Sequence, residues 1–373
     1  MSVRALARVN LAAIERNVTR LRGELTRGAR LCAVVKADGY GHGAVQSARA
    51  ALAGGASSVA VATTQEAAEL RSAGIAAPVL VMGAVSSEEL PAALDARAEM
   101  VAWSERFIAE VAAIASRPVR IHVKLDSGLG RLGTRDAAQA MRVAQLVSDH
   151  DPVLSLAGAM THFATAENDP EFVARQLALF KPFVAELRRD RPGIVVHAAN
   201  SAATLRHPES HFDMARCGIA IYGCDPMHID PKRRGLEPAL ELSSYVAAVK
   251  RAAVGESVGY GRKFIARTAT WIATVPLGYG DGVRRALSGT GEALIGGRRY
   301  PLVGAVSMDN LTLDVGDAKP VRAGEPVTII GENGGERQTA EQLAKAVGTI
   351  NYEVVCGISS RVPRAYHRDG ESA

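Results

Sequence analysis

Cysteine is scarce: Cys32, Cys217, Cys224 and Cys356 are the only 4 in 373 residues. With no CxxC and no Cys/His pair at ligand spacing, neither a disulfide framework nor a zinc site organises this chain, and no metal is expected. The four read as reduced, mostly buried thiols. No apolar run is long enough to cross a bilayer, and the opening "MSVRALARVN" lacks the apolar core of a secretion signal. A cytoplasmic location with no membrane partner is expected. The net charge is only +5 and aromatics make up 5% of the chain. No basic block with interleaved aromatics is present, so nucleic acid is not an expected partner. Small anionic ligands fit better.

What the chain does contain is a globular balance, 47% hydrophobic and 22% charged, in a length that predicts two domains or a large barrel with an appendage. Its first two-thirds alternates short β-branched runs with helical stretches, the pattern of strand-helix units around a parallel sheet. The expected strands are 31–36, 58–62, 78–82, 99–103, 120–126, 155–162, 194–198 and 214–223. Between them, "SERFIAEVAAIAS" places Phe107, Val111 and Ile114 on one helical face. Roughly eight such units predict an α/β fold with a TIM-type barrel of typical size; a doubly wound open sheet is the rival. The proline-containing basic stretch "DPMHIDPKRRGLEP" (225–238) then marks a boundary. The expected domains are a barrel over 1–235 and a mostly-β domain over 236–373. The latter has one helix at "TAEQLAKAVG", and weak strand character at 3–9 could join it.

Working residues of such a barrel sit at the C-terminal ends of its strands. Lys36 closes the first expected strand, Lys124 and Asp126 the fifth with Arg131 just beyond, and His162 the sixth. Asn200 and Ser201 follow the seventh, and Arg216 with Gly218 lies on the eighth. Loops after strands seven and eight commonly hold a phosphate in this fold, and Gly218 permits close backbone approach. A lysine desolvated at such a mouth becomes a nucleophile toward aldehydes, which is how pyridoxal phosphate is held as a Schiff base; the bland reading is that Lys36 snorkels to solvent. The flanking "KADGYGHG" favours the first, since its glycines permit a tight loop and Tyr40 supplies a hydroxyl.

These residues resemble the alanine racemase family, pyridoxal-phosphate enzymes of fold type III. Matching blocks run in order along nearly the whole chain: "AVVKADGYGHG", "HVKLDSGLGRLG", "THFATAEN", "HAANSAATL", "RCGIAIYG", "VGYGRKF", "VPLGYGDGVRR", "VSMDN" and "RVPR". The resemblance implies that Lys36 binds the cofactor, that Tyr40, Asn200, Ser201, Gly218 and Ile219 help hold it, and that Arg216 faces the pyridine nitrogen. Arginine cannot give up a proton there, so the ring nitrogen stays unprotonated and the cofactor is a weaker electron sink. Racemisation needs two acid/base groups on opposite faces of the α-carbon. The resemblance assigns Lys36 to the D enantiomer and Tyr260 to the other face. A phenol ionises near pH ~10 in water, so such a base needs positive charge nearby; His162 and Arg131 look like its supports.

The family pattern further implies a head-to-tail homodimer with shared sites, in which Tyr260, Tyr279, Met308 and Asp309 reach the partner's barrel. Arg131 would also bind the substrate carboxylate or the cofactor oxygen. Lys124 matches a lysine that many members carry as a carbamate. Two positions depart from the pattern: Ser360 replaces a tyrosine that narrows the substrate passage, and Ala305 stands where members often have an arginine, Arg285 being retained nearby. A broader racemase, accepting serine or larger amino acids, is therefore the alternative. Fold-type III decarboxylases usually hold the ring nitrogen with a carboxylate, against which Arg216 argues. Single-barrel cofactor-binding proteins lack a second domain.

Overall fold

A computed structural model describes residues 4–26, 28–318 and 321–372. It divides into two compact units, one of residues 14–39 and 43–221, the other of residues up to 13, 40–42 and from 222 onward.

In the first unit eight strands form one parallel sheet. They are β1 (Arg30–Val34), β2 (Ser58–Val61), β3 (Val79–Val81), β4 (Glu99–Ala102), β5 (Val119–Lys124), β6 (Leu154–Met160), β7 (Val195–His197) and β8 (Met214–Cys217). Their order is β7-β6-β5-β4-β3-β2-β1-β8. The amide of Arg216 donates to the Ala199 carbonyl and that of Asp213 to Val196, at 2.9 and 3.0 Å, drawing the ends of this order together. The sheet is thus a nearly closed barrel, and the open-sheet rival fails.

Burial on both faces explains the near-continuous apolar strands: Val59, Val61, Val79, Val81 and Val123 are all inaccessible. Capping residues start the intervening helices where a strand ends. Thr63 forms a reciprocal capping box with Glu66 ahead of Thr64–Ser72, and Ser104 caps Glu105–Ile114 through the Phe107 amide. On that second helix the expected face is corrected. Ile108 and Val111 are buried, Ile114 is 47% exposed, and Phe107 lines a cavity of about 440 Å³ with Trp103 and Arg106.

The second unit is rich in strands. Its main sheet is ordered Arg298–Pro301, Glu292–Ile295, Pro326–Asn333, Leu240–Tyr245, Leu6–Asn10, Arg364–Arg368, Glu371–Ser372. The expected strand at 3–9 corresponds to Leu6–Asn10, Val3 lying outside the described residues. A second sheet joins Ala248–Ala252, Thr270–Val275 and Leu311–Asp314. Two helices, Ala340–Val347 and Asn351–Cys356, complete the unit, the second unforeseen from the sequence. Cys32, Cys217 and Cys224 are buried free thiols and Cys356 is exposed. Among the described residues no helix is long and apolar enough to cross a membrane.

Candidate active site

β1 ends at Val34, two residues before Lys36, and the chain then enters a left-handed turn. Ala37, Asp38, Gly39 and Tyr40 have φ of 53, 51, 61 and 53°. Non-glycine residues in this region cost roughly 1 kcal/mol or more each, so such a run persists only where other bonds enforce it. Here Ala37 N donates to Glu66 Oε1 at 2.6 Å and Ala44 N to Asp38 Oδ1 at 3.0 Å. Gly39 N also donates to Val35 O at 2.9 Å. The turn fixes how the chain leaves Lys36.

Arg216, on β8, is buried. Its Nη1 donates to His197 Nδ1 at 2.8 Å. Its Nη2 reaches the carbonyls of Thr161 and Ala198 at 2.9 and 3.0 Å and His162 Nδ1 at 3.0 Å. Burial lowers the guanidinium to about 10, which still leaves it charged at neutral pH. Because arginine only donates, Nδ1 of both histidines must accept, Nη2 sharing its two hydrogens among three acceptors, and each neutral ring carries its proton on Nε2. Burial first, then Arg216, pushes both imidazoles well below their ordinary value, so both stay neutral.

Lys124 ends β5 and is buried. Burial, then the charges of Arg216 and Arg131, lower its ammonium to about 8. Lys36, Lys124, Arg131 and Arg216 all act electrostatically on His162, so these sequence-singled residues share one positive neighbourhood. Asp126 accepts from the amides of Gly128 and Gly130 at 3.1 and 3.0 Å, shaping the loop that leads to exposed Arg131. After β7, the Asn200 side chain caps the short helix Ser201–Arg206. The Gly218 amide donates to Ser201 Oγ at 3.0 Å, tying the loops after β7 and β8 together just before Ile219.

In the second unit, Tyr40 is buried, its ring 5.2 Å from that of Tyr222 and 6.1 Å from that of Tyr352. Tyr260 is 75% exposed. It sits at the tip of the hairpin Ser257–Val258/Phe264–Ile265, whose Val258 and Phe264 pack on Ala252, Ala266, Ile272 and Val303. A cavity of about 360 Å³ beside it is lined by Ala305, Ser307 and Asn310. The Tyr279 and Met308 segments are bound to each other: Tyr279 N donates to Ser307 O and Gly280 N to Met308 O, at 3.0 and 2.9 Å. Asp281, buried, anchors this turn by accepting from Gly278 N at 2.9 Å and pairing with Arg4 and Arg361. Arg361 also holds Asp309 at 2.7 Å. Ser360, next to it, is exposed.

Sequence reasoning passed over His197, Arg361 and Asp281. His197 had a usable signal, a polar residue closing an apolar strand. Arg361 and Asp281 lie in the quoted blocks "RVPR" and "VPLGYGDGVRR", but nothing in the sequence shows that these segments, about 80 residues apart, pair.

The geometry defines a cationic, partly desolvated site at the mouth of a (β/α)8-type barrel, accompanied by a β unit that displays an exposed tyrosine. Residues 9–226 match the family model for the alanine racemase N-terminal domain, and residues 239–366 match that for the C-terminal domain. The chain is 41% identical to the alanine racemase of Halalkalibacterium halodurans, covering 97% of this chain and 95% of that one. It is also 41% identical to that of Symbiobacterium thermophilum, covering 98% and 97%. The crystal structure of alanine racemase from Bacillus anthracis with bound L-Ala-P superposes with a TM-score of 0.92 at 36% identity, covering 100% and 97%. The enzyme from the D-cycloserine producer Streptomyces lavendulae gives 0.92 at 36% identity, covering 98% of each chain. The chain belongs to the alanine racemase family and is an enzyme of that class, an isomerase.

Proposed function

We propose that the protein interconverts L- and D-alanine by a two-base mechanism at pyridoxal phosphate, in a homodimer whose sites are shared between subunits. The observation that carries this reading is the arrangement of Arg216. Nη1 has two hydrogens and directs one at His197, which leaves the second for an unprotonated ring nitrogen. The tied loops at Ser201 and Gly218 suit a phosphate, with Tyr40, Asn200 and Ile219 contributing, and Lys36 supplies the amine for the aldehyde. The bound cofactor would withdraw electrons from the substrate α-carbon and make its proton labile.

The remaining work falls to this chain's side chains. The Lys36 amine exchanges the α-proton on the face of the D enantiomer, and the Tyr260 phenol of the partner subunit does so on the opposite face. His162, with its proton held on Nε2, offers that phenol a hydrogen-bond donor. Arg131 binds the substrate carboxylate, and Tyr279, Met308 and Asp309 close the site from the partner's side. A Lys124 amine lowered to about 8 is more often neutral and nucleophilic than an ordinary lysine, which supports carbamylation by carbon dioxide and an anion facing Arg131. A barrel domain and a β domain bounded near residue 235 are proposed, 14 residues beyond the point where the two compact units divide. In the cell the reaction would be cytoplasmic and supply D-alanine for peptidoglycan.

A second reading, broader specificity, is favoured by Ser360, a small exposed residue where relatives are expected to place a tyrosine ring. Chiral chromatography after incubation of L-alanine and L-serine separately with protein and pyridoxal phosphate tests both. Rapid D-alanine with little D-serine supports the first reading, comparable D-serine the second, and no D product sinks both.

A further inference from the structure

Arg216 is the upper end of a longer chain. His197 Nδ1 accepts from Arg216 Nη1, His197 Nε2 meets His122 Nδ1, and His122 Nε2 meets Glu99 Oε2, each at 2.8 Å. His122 and His197 are buried, and Glu99, the first residue of β4, is nearly so. One proton order satisfies the series. Arginine only donates, so His197 carries its hydrogen on Nε2; His122 Nδ1 must then accept, and its own Nε2–H is directed at an acceptor-only carboxylate. Reversing any member would set two donors or two acceptors face to face. The chain therefore runs in single file from the N-terminal rim, where Glu99 also binds Arg120 at 2.6 Å and borders a cavity of about 60 Å³, to the cation at the mouth.

Packing alone does not call for this. Barrel interiors are filled best by branched aliphatic side chains, and buried polar groups are unfavourable unless each is satisfied. The backbone also gives way for it. A Cβ at Gly158 on β6 would lie 2.3 Å from His122 Nδ1, and the β5–β6 register shifts between Ile121 and His122, an irregularity that re-aims a side chain. The same guanidinium holds His162 Nδ1 at 3.0 Å, so a displacement of Arg216 would reach the acid/base machinery directly.

We infer that Glu99 and His122 are positioning residues for the racemase reaction, acting through His197 to hold Arg216 in one orientation and thereby keep His162 in its Nε2–H form. The role in the reaction rests on the function proposed above; the proton order does not. In cofactor-free wild-type protein, nitrogen NMR of the histidine rings should find His122, His197 and His162 all neutral with hydrogen on Nε2. His122→Asn should make the His162 tautomer mixed, shift the absorption of added pyridoxal phosphate once bound, and lower kcat roughly tenfold with KM for alanine little changed, the scale of loss when an outer partner of a working group is removed. Glu99→Gln should act in the same direction and more weakly, Gly158→Ala should reproduce His122→Asn, and Arg120→Gln should leave the rings as they are. An Nδ1–H or doubly protonated ring in the wild type overturns the inference without any variant having to fold. So does a wild-type His162 tautomer, cofactor spectrum and kcat in both His122→Asn and Glu99→Gln. The expected tautomers in a protein that neither binds the cofactor nor racemises an amino acid would remove the function and the chain's role in it, leaving only the proton order, so the two failures are distinguishable.

Discussion

The barrel mouth and the tyrosine-bearing face of the β unit prepare their side chains in opposite ways. At the mouth, Lys124, Arg216 and His197 are withdrawn from water; burial lowers each of them, and the neighbouring positive charges lower Lys124 and His197 further. On the β unit, Tyr260, Tyr279 and Met308 are 75, 42 and 52% exposed. There the backbone beneath them is fixed by the hairpin, the Ser307 and Met308 carbonyls and the Asp281 pairs. The groups with shifted protonation are buried; the side chains on the β unit stand on a fixed backbone and are left exposed. An exposed tyrosine on a hairpin with its own small core is what the proposed sharing of sites between subunits requires.

The comparison can be broken most sharply by removing one proposed base from each region. Lys36→Ala should abolish racemisation by at least about 10⁴-fold and remove the Schiff-base absorbance, because attachment and base go together. Tyr260→Phe should slow reaction from L-alanine by about 10²–10⁴-fold while leaving that absorbance intact. Full activity in the second variant would mean the exposed face is not part of the chemistry. Mixing the two inactive proteins then asks whether the regions meet across subunits. After random exchange half of the dimers are mixed and each has one complete site, so about a quarter of wild-type activity should return; no recovery would place both bases in one chain's site.

A pH experiment sharpens the buried side. His197 is held well below its ordinary value by burial, then by Arg216, so below about pH 6.5 the unfolded chain binds a proton that the native one does not. Its contribution is full above the unfolded value and is lost as pH falls, by about 1.4 kcal/mol per unit. Urea midpoints compared near pH ~7 and ~5.5 should drop further in wild type than in His197→Asn, and equal drops would contradict a neutral His197. The smallest effect is expected on the exposed side: Ser360→Tyr should raise the preference for alanine over serine severalfold, within the roughly 10–200-fold that side-chain size alone can give. Unchanged product ratios would remove Ser360 from the specificity argument.

All eight barrel strands were legible because parallel strands buried on both faces are written as short β-branched runs bounded by turns. Their ends were overestimated by one to six residues where the apolar run continues past the last ladder bond, most at 214–223, where β8 stops at Cys217 and a 3₁₀ turn takes over at Ile219. The helical face through Phe107 was misread because periodicity marks an apolar stripe without saying whether it meets a core or a cavity. At the site, strand-end position revealed the charged groups. Their hydrogen-bond partners were hidden: His122 and His197 meet across 75 residues, and the room that Gly158 makes for the link exists only in the folded chain. The left-handed turn was equally hidden, since Ala37 carries no propensity for positive φ and the modest one of Asp38 does not predict a run of four.

That turn bears on how variants of this enzyme would drift under selection. Glycine at 37 would relieve a conformation that alanine adopts at φ 53°, a gain of about 1 kcal/mol set against the greater freedom of the unfolded chain. The two nearly cancel, so a screen that rewards heat resistance alone would be almost indifferent at the residue next to Lys36, where glycine would loosen the backbone that carries that side chain.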